Sequence, residues 1–382
     1  MKIKEGLFTI VVLLLMNTNV YGSVEDNITS KEAYLMEVSS KTVLAEKNSE
    51  ERVSIASVTK IMTLLLTYDA LESGKIKKDD LVTTSAYAKS MGGSQVFLEE
   101  GEKQTVETLI KCVVIASGND AAVAMAEYIA GSEQEFVEMM NKKCVELGMK
   151  NTHFEDCSGL TDSDNHYSCA RDVALMSREL VYKYPDILNY SSIWMETIIH
   201  STDKGDKEFV LSNTNKLLKA NEAVKGLKTG SASKAKYCVS VVAEQNNVKL
   251  ISVILGASDY KIRFKEANEL LKYGFANCIL YVDKKNNEIN CPVTCGEKEY
   301  VSAKKEKEFS YVFPGKMKKV SEKVKLKKIK APVKIRDKVG VVEYYDGKKM
   351  IGNVDLIATQ NVKNATFWGQ MTKIIQYLVF LD

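Results

Sequence analysis

Ser57-Val58-Thr59-Lys60 opens an apolar run, Ile61-Met62-Thr63-Leu64-Leu65-Leu66, that has to be buried, and no turn signal interrupts it before Gly74. A run of this length reads as a buried helix over Ser57–Ser73 rather than a strand. Helical spacing puts residues three apart on one face. Ser57 and Lys60 then stand side by side at the positive, N-terminal end of the helix. A serine hydroxyl is a poor nucleophile until a base takes its proton. A lysine buried in apolar surroundings loses its charge and can be that base. The pair therefore points to acyl transfer through a serine ester. Taken alone it is equally an ordinary helix start, because serine is a common N-cap.

The chain has 382 residues, 45% apolar and 27% charged, which is globular composition long enough for two domains. A net charge of +3 gives no reason to expect a nucleic-acid partner. Lys2 and Lys4 precede an apolar core from Leu7 to Met16, and Val20-Tyr21-Gly22 offers small residues at a cleavage point. Residues 1–22 read as a secretory signal, too short in its core for a membrane span. An exported chain could pair its eight cysteines. Several sit inside apolar runs, so buried free thiols are expected; Cys291 and Cys295 are the best candidates for a bridge. No cysteine has metal-ligand spacing, there are three histidines, and no metal or organic cofactor is implied.

Two strands are expected at Ala33–Val38 and Lys41–Glu46, joined at Ser39-Ser40. Helices follow at Val106–Cys112, Asp120–Ala130, Glu133–Leu147 and Ala170–Tyr184. The valine-rich runs Lys236–Ala243 and Val248–Leu255 read as a hairpin around Glu244–Asn247. A helix from Tyr260 to Tyr273 ends at Gly274. Composition changes after Asn277, and residues 278–358 read as a small β domain. Within it, Val320–Ile335 alternates lysine with apolar residues, as a half-exposed strand does. Its lysines, eight between Lys316 and Lys330, form either a solvated strand face or a surface for an anionic polymer or lipid. Residues 363–382 carry Phe367, Met371, Ile374, Ile375 and Leu378 at helical spacing. They suit an amphipathic helix lying on a membrane surface, with Trp368 at the boundary.

Two further motifs change the weight of Ser57 and Lys60. Ser117-Gly118-Asn119 stands between the apolar run ending at Ala116 and the helix beginning at Asp120. Lys228-Thr229-Gly230 stands just before the first late strand. In order and spacing the three resemble the set found in penicillin-binding proteins and class A β-lactamases. Ile55–Thr63, Ser158–Thr161 with His166–Asp172, Asn213–Leu218 leading into Gly226–Gly230, and Gly256-Ala257 with Arg263 and Leu270–Phe275 resemble blocks of the D-alanyl-D-alanine carboxypeptidases, the low-molecular-mass penicillin-binding proteins of serine peptidase family S11. The sporulation-type enzymes of Gram-positive bacteria are the nearest subgroup.

The resemblance implies an α/β (α+β) fold: a β-lactamase/transpeptidase-like catalytic domain over residues 23–277, an antiparallel sheet flanked by helices, followed by the β domain and anchor. It implies an enzyme at the outer face of the cytoplasmic membrane that removes the terminal D-alanine from peptidoglycan pentapeptide stems and is acylated by β-lactams. Ser57 is then the nucleophile and Lys60 its base, with a pKa lowered by burial and by Lys228. Ser117 relays a proton to the leaving amine, and Asn119 holds the substrate amide or orients Lys60. Lys228, Thr229, Gly230 and Arg263 frame the terminal carboxylate. The backbone N–H groups of Ser57 and Ser231 form the oxyanion hole.

The chain departs from the family pattern at Ser231, where a bulkier aromatic or histidine is frequent, and at Lys225, where aspartate is common. Lys234 and Lys236 make this strand unusually basic. A serine β-lactamase is the first alternative, but the stretch Cys157–His166 offers only Asp162 and Asp164 as deacylating carboxylates. A non-catalytic wall-binding relative is the second.

Overall fold

The computed structural model describes residues 24–203, 205–369 and 371. The expected secretory signal lies outside the described residues, as does most of the expected anchor helix.

Five antiparallel strands form the central sheet, in the order Val43–Lys47, Glu32–Glu37, Val248–Ala257, Lys236–Gln245, Val224–Ala232. The two late strands are buried on both faces, which explains their unbroken valine and isoleucine content. Their connection is tighter than expected. Only Asn246 and Asn247 form the turn, both at positive φ (51° and 62°), a conformation asparagine tolerates.

One sheet face packs under the helices Lys60–Glu72, Val106–Val114, Asn119–Ala130 and Ala170–Lys183. The other carries Tyr260–Asn277. Lys60–Glu72 is buried on nearly every side, as its sequence demands. Two helical expectations need correction. Ser57 is not inside the α-helix but in a 3-10 turn, Ala56–Thr59, ahead of it. Ala56 sits at φ 47°, a left-handed value no α-helix accommodates. The last helix does not stop at Gly274 either. It continues to Asn277, and Gly274 lies on the sheet where a Cβ would come within 2.6 Å of Leu250 Cδ1. That glycine permits close packing instead of ending the helix.

The hairpin Met195–Thr202 and Gly205–Ser212 had no counterpart among the sequence expectations. In the first strand the inward face is Glu196, Ile198, His200 and Thr202 while Met195 and Ile199 point out, and the second is mostly exposed, so the sequence shows no apolar alternation to mark a half-buried strand.

After Cys278 the chain is all β among the described residues, until the short helical stretch at Phe367. A six-stranded sheet runs in the order Val320–Leu326, Lys338–Asp346, Lys349–Ala358, Tyr300–Lys305, Ile289–Thr294, Ile329–Lys330. Tyr344 is fully buried and stacks on Phe309, with ring centroids 3.8 Å apart. Val320–Ile335 is not one strand. Val320–Leu326 and Ile329–Lys330 lie at opposite edges of the sheet, and the first is exposed on both faces. Alternating lysines there discourage pairing with another chain at an open edge. All eight cysteines are unpaired. Cys291 is buried in the β core, whereas Cys295 is exposed, so the suggested bridge is absent.

Candidate active site

Three segments far apart in sequence converge on the Ala56–Thr59 turn. Lys60, fully buried, donates to Ser57 Oγ at 2.9 Å, to Asn119 Oδ1 at 2.5 Å and to the Ser158 carbonyl at 2.7 Å. An ammonium has three protons. Two face oxygens that can only accept, so they stay on nitrogen. Loss of the third leaves a lone pair aimed at the Ser57 hydroxyl. Burial pushes the Lys60 ammonium down to about 8, partly offset by Cys157, Asp156 and Asp120 nearby. The geometry is that of a base poised on its nucleophile. Ser57 itself is partly exposed, so a substrate can reach it.

A second lysine–serine pair stands beside the first. Lys228, 1% exposed, donates to Ser117 Oγ at 2.9 Å and to the Thr229 carbonyl at 3.0 Å. Burial lowers its pKa well below the usual lysine value, and repulsion from Lys60 and then Arg263 lowers it further. The expectation was that burial and Lys228 together depress Lys60. Desolvation is the larger cause for both, and repulsion between the two neighbouring cations lowers Lys228 further. Ser117 holds φ 64°, strained for a residue with a Cβ and of a kind that clusters at functional sites.

The strand Val224–Ala232 is an edge strand, paired only with Lys236–Gln245. Its Gly230 lies so close to the serine turn that a Cβ would fall 2.5 Å from the Ile55 carbonyl oxygen and 3.2 Å from Ser57 N. The sequence needs glycine at that position because two backbones meet there. Thr229 donates to Thr214 Oγ1 at 2.7 Å, and Ser231 is exposed at the strand's open side. Arg263 is buried, and its Nη1 donates to the carbonyls of Gly230 (2.9 Å) and Cys238 (3.2 Å). It therefore braces the strand that carries Lys228 and Thr229.

Several contributors escaped the sequence reading. The Ser158 carbonyl is aimed at Lys60 because Asp156 collects the backbone N–H groups of Ser158 (2.8 Å), Gly159 and Thr161 (2.7 Å). His166 accepts from Glu155 N at Nδ1 (3.2 Å), so its neutral ring carries the proton on Nε2 and donates it to Thr59 Oγ1 at 2.8 Å. Burial lowers the His166 pKa and favours that neutral form. Asn213, which donates to the carbonyls of Ser191 and Ile193, anchors the segment that presents Thr214 to Thr229. The signal for all three was the recurrence of family blocks, which marks them without saying what they do.

A five-stranded antiparallel sheet between helices, with a Lys-activated serine at its edge strand, defines the class of serine acyl-transferring enzymes that react with penicillin. Residues 19–259 match the family described as D-alanyl-D-alanine carboxypeptidase, and residues 282–364 match the C-terminal domain of penicillin-binding protein 5. The chain is 40% identical over 343 residues to the D-alanyl-D-alanine carboxypeptidase DacF of Bacillus subtilis, covering 88% of this chain and 87% of that one. It is 35% identical over 354 residues to DacC of Escherichia coli, covering 88% and 85%. Among solved structures, penicillin-binding protein 5 of Haemophilus influenzae aligns with a TM-score of 0.69 and 33% identity, over 88% of this chain and 98% of that one. The chain belongs to the D-alanyl-D-alanine carboxypeptidase family, serine peptidase family S11.

Proposed function

We propose that the protein removes the terminal D-alanine from peptidoglycan stem peptides through an acyl-enzyme on Ser57. The observation that carries this reading is the pair of buried lysine–serine contacts, Lys60 with Ser57 and Lys228 with Ser117, on either side of an open strand edge. An extended peptide adds to that edge. Its carboxylate takes the remaining N–H position of Lys228 and the Thr229 hydroxyl, whose proton turns from Thr214 to the substrate, with Arg263 holding the strand from behind. A carboxylate beside Lys228 favours the charged form there. Lys228 is then charged, and Lys60, lowered by burial, is the lysine that can be neutral. Ser57 attacks the carbonyl carbon of the penultimate D-alanine while Lys60 takes its proton. The backbone N–H groups of Ser57 and Ser231 hold the oxyanion; losing one such donor typically costs about 2.7–4 kcal/mol. Ser117, fed by Lys228, protonates the departing amine. The proton on Lys60 passes back to Lys228, and Lys60 then takes a proton from the attacking water and returns it to Ser57 Oγ as the ester bond breaks and the shortened peptide leaves as a carboxylic acid that ionises in solvent.

The β-lactamase alternative needs a free carboxylate to activate that water against a penicilloyl ester. Asp162 and Asp164 are both exposed, and Asp164 is paired with Lys234; Asp156 is the nearby carboxylate behind Ser158, and neither of its oxygens is free of the three backbone N–H groups it accepts from. None of these supports rapid deacylation. The chain is read as exported and as lying on the outer face of the cytoplasmic membrane through its C-terminal helix. Phe367 and Trp368 are 72% and 77% exposed, as residues entering a lipid interface would be.

The test is D-alanine release from a diacyl-Lys-D-Ala-D-Ala peptide by the purified protein, alongside labelling by a fluorescent penicillin. Release and stable labelling are expected in wild type and neither in Ser57→Ala. Absence of release from a folded, labelled wild-type protein would count against the carboxypeptidase, and rapid loss of the label would favour the lactamase.

A further inference from the structure

Lys234 and Lys236, which make the end of this strand and its turn basic, have no part in the mechanism above. Both line a cavity of about 430 Å³, with Lys31, Arg52, Asp164 and Tyr167 among its other walls. The cavity adjoins the catalytic groove. It begins at Val53 and Ser54, just ahead of the serine turn, and includes His166, whose ring bonds Thr59 in that turn. Lys234 lies in the connection that follows Ser231 and Ala232.

The direction of a bound substrate follows from the strand. Its terminal carboxylate belongs at Lys228 and Thr229, and its scissile carbonyl beside Gly230 and Ser57. The acyl half must then run past Ser231 and Ala232 toward Lys234. Extended chain advances about 3.3 Å per residue, so roughly two or three residues on the acyl side bring a substrate to the cavity mouth.

The cavity holds an excess of positive charge. Lys31, Arg52, Lys234 and Lys236 face it, and Asp164 is the only carboxylate among its lining residues. Lys31 is engaged by Glu51 at 2.7 Å, outside the lining. Lys234 pairs with Asp164, whose side chain is 95% exposed, and also reaches the Asp162 carbonyl at 3.4 Å. Such an exposed pair is worth little and exchanges readily. Arg52 is held in place by Asn151 Oδ1 at 3.2 Å and by the Tyr167 ring, 4.8 Å from its guanidinium carbon. After these pairings Arg52 and Lys236 remain without a carboxylate in the lining.

We infer that this cavity is an acyl-side subsite for a carboxylate, so that the enzyme prefers stem peptides carrying a free carboxylate two or three residues before the scissile bond over the same peptides amidated there. The inference rests on the carboxypeptidase reading and names the substrate class within it.

Two synthetic peptides ending in D-Ala-D-Ala test it, identical except that one carries a free side-chain carboxylate on the acyl side and the other its primary amide. The ratio of their kcat/KM values for D-alanine release is the readout. Wild type is expected to favour the carboxylate by about tenfold, the scale of two exposed ion pairs, and to lose part of that preference in high salt. In Arg52→Gln/Lys236→Met, which removes the two cations left without a carboxylate, with folding checked by its melting temperature, the ratio falls to near one. A wild-type ratio near one, or a ratio unchanged in the double variant, overturns the subsite while leaving the carboxypeptidase standing. Release from neither peptide overturns both.

Discussion

Replacing Asn119 by aspartate adds one negative charge at the most sensitive point of the site. Asn119 Oδ1 lies 2.5 Å from Lys60 Nζ, and aspartate keeps that oxygen in place. In the native protein burial holds Lys60 near 8. About one-tenth of Lys60 is then neutral at pH 7 and nine-tenths at pH 9, so acylation should rise roughly tenfold across that interval. A carboxylate in contact with the ammonium stabilises its charged form. Opposite charges this close move a pKa by about one to three pH units. In Asn119→Asp the rising limb should therefore move to higher pH by that amount, and acylation at pH 7 should fall about ten- to a thousandfold. The amide nitrogen's bond to the Gly92 carbonyl, 2.7 Å long, is also lost. Asn119→Ala, which loses the same bond without adding charge, separates that effect. Stopped-flow acylation by a chromogenic or fluorescent β-lactam from pH 6 to 10 measures all three proteins. If Asn119→Asp slows acylation equally at every pH, with its limb where the wild type's lies, Lys60 is not the base.

Two other expectations follow from the packing. Glu32 is completely buried, accepts from Ala170 N at 2.8 Å, and has its other oxygen unpartnered; desolvation raises its pKa to about 8. A carboxyl raised in the folded state lends full stability below its unfolded pKa and loses it as pH climbs to the folded one, about 1.4 kcal/mol for each pH unit between. Glu32→Gln should accordingly melt higher than wild type at pH 8, with the gain shrinking toward pH 5; a gain independent of pH contradicts the assignment. Gly230→Ala should fold but acylate about a hundredfold more slowly, because its Cβ must displace the Ser57 turn and misplacements near 1 Å carry penalties of that size. Unchanged penicillin labelling would show that the strand and turn are not in register as described.

What was readable in the sequence was whatever leaves a periodic or local mark. The buried helix after Lys60 and the valine-rich hairpin declared themselves through apolar runs too long or too uniform for anything else. Ser57 and Lys60 were readable as a pair from their spacing, and Ser117, Asn119 and Lys228 as motifs, but not the meeting of Lys228 with Ser117, since no spacing rule joins residues 111 positions apart. The 3-10 turn at Ser57 was hidden because nothing local in the sequence marks the left-handed Ala56, whose carbonyl lies against Gly159, about a hundred residues away. Gly274 misled for a similar reason. A helix-ending glycine and one pressed on a sheet look the same in one dimension. Asp156 and the Ser158 carbonyl were unreadable as catalytic supports, because one acts through backbone N–H groups and the other is itself backbone.

The serine turn is gripped from three directions: by Gly230 on the sheet, by Lys60 below, and through Lys60 by Asn119 and the Ser158 carbonyl. These contacts span sequence separations of up to 173 positions, from Ser57 to Gly230. No fragment that lacks the Asn119, Ser158 or Gly230 segments can hold the serine and its base with all their supports in place. Covalent capture of penicillin is therefore a census of finished molecules. Sampled during refolding, the fraction labelled would time the moment at which sheet and helices lock, and in a mutant series it would report the native population without any spectroscopic probe.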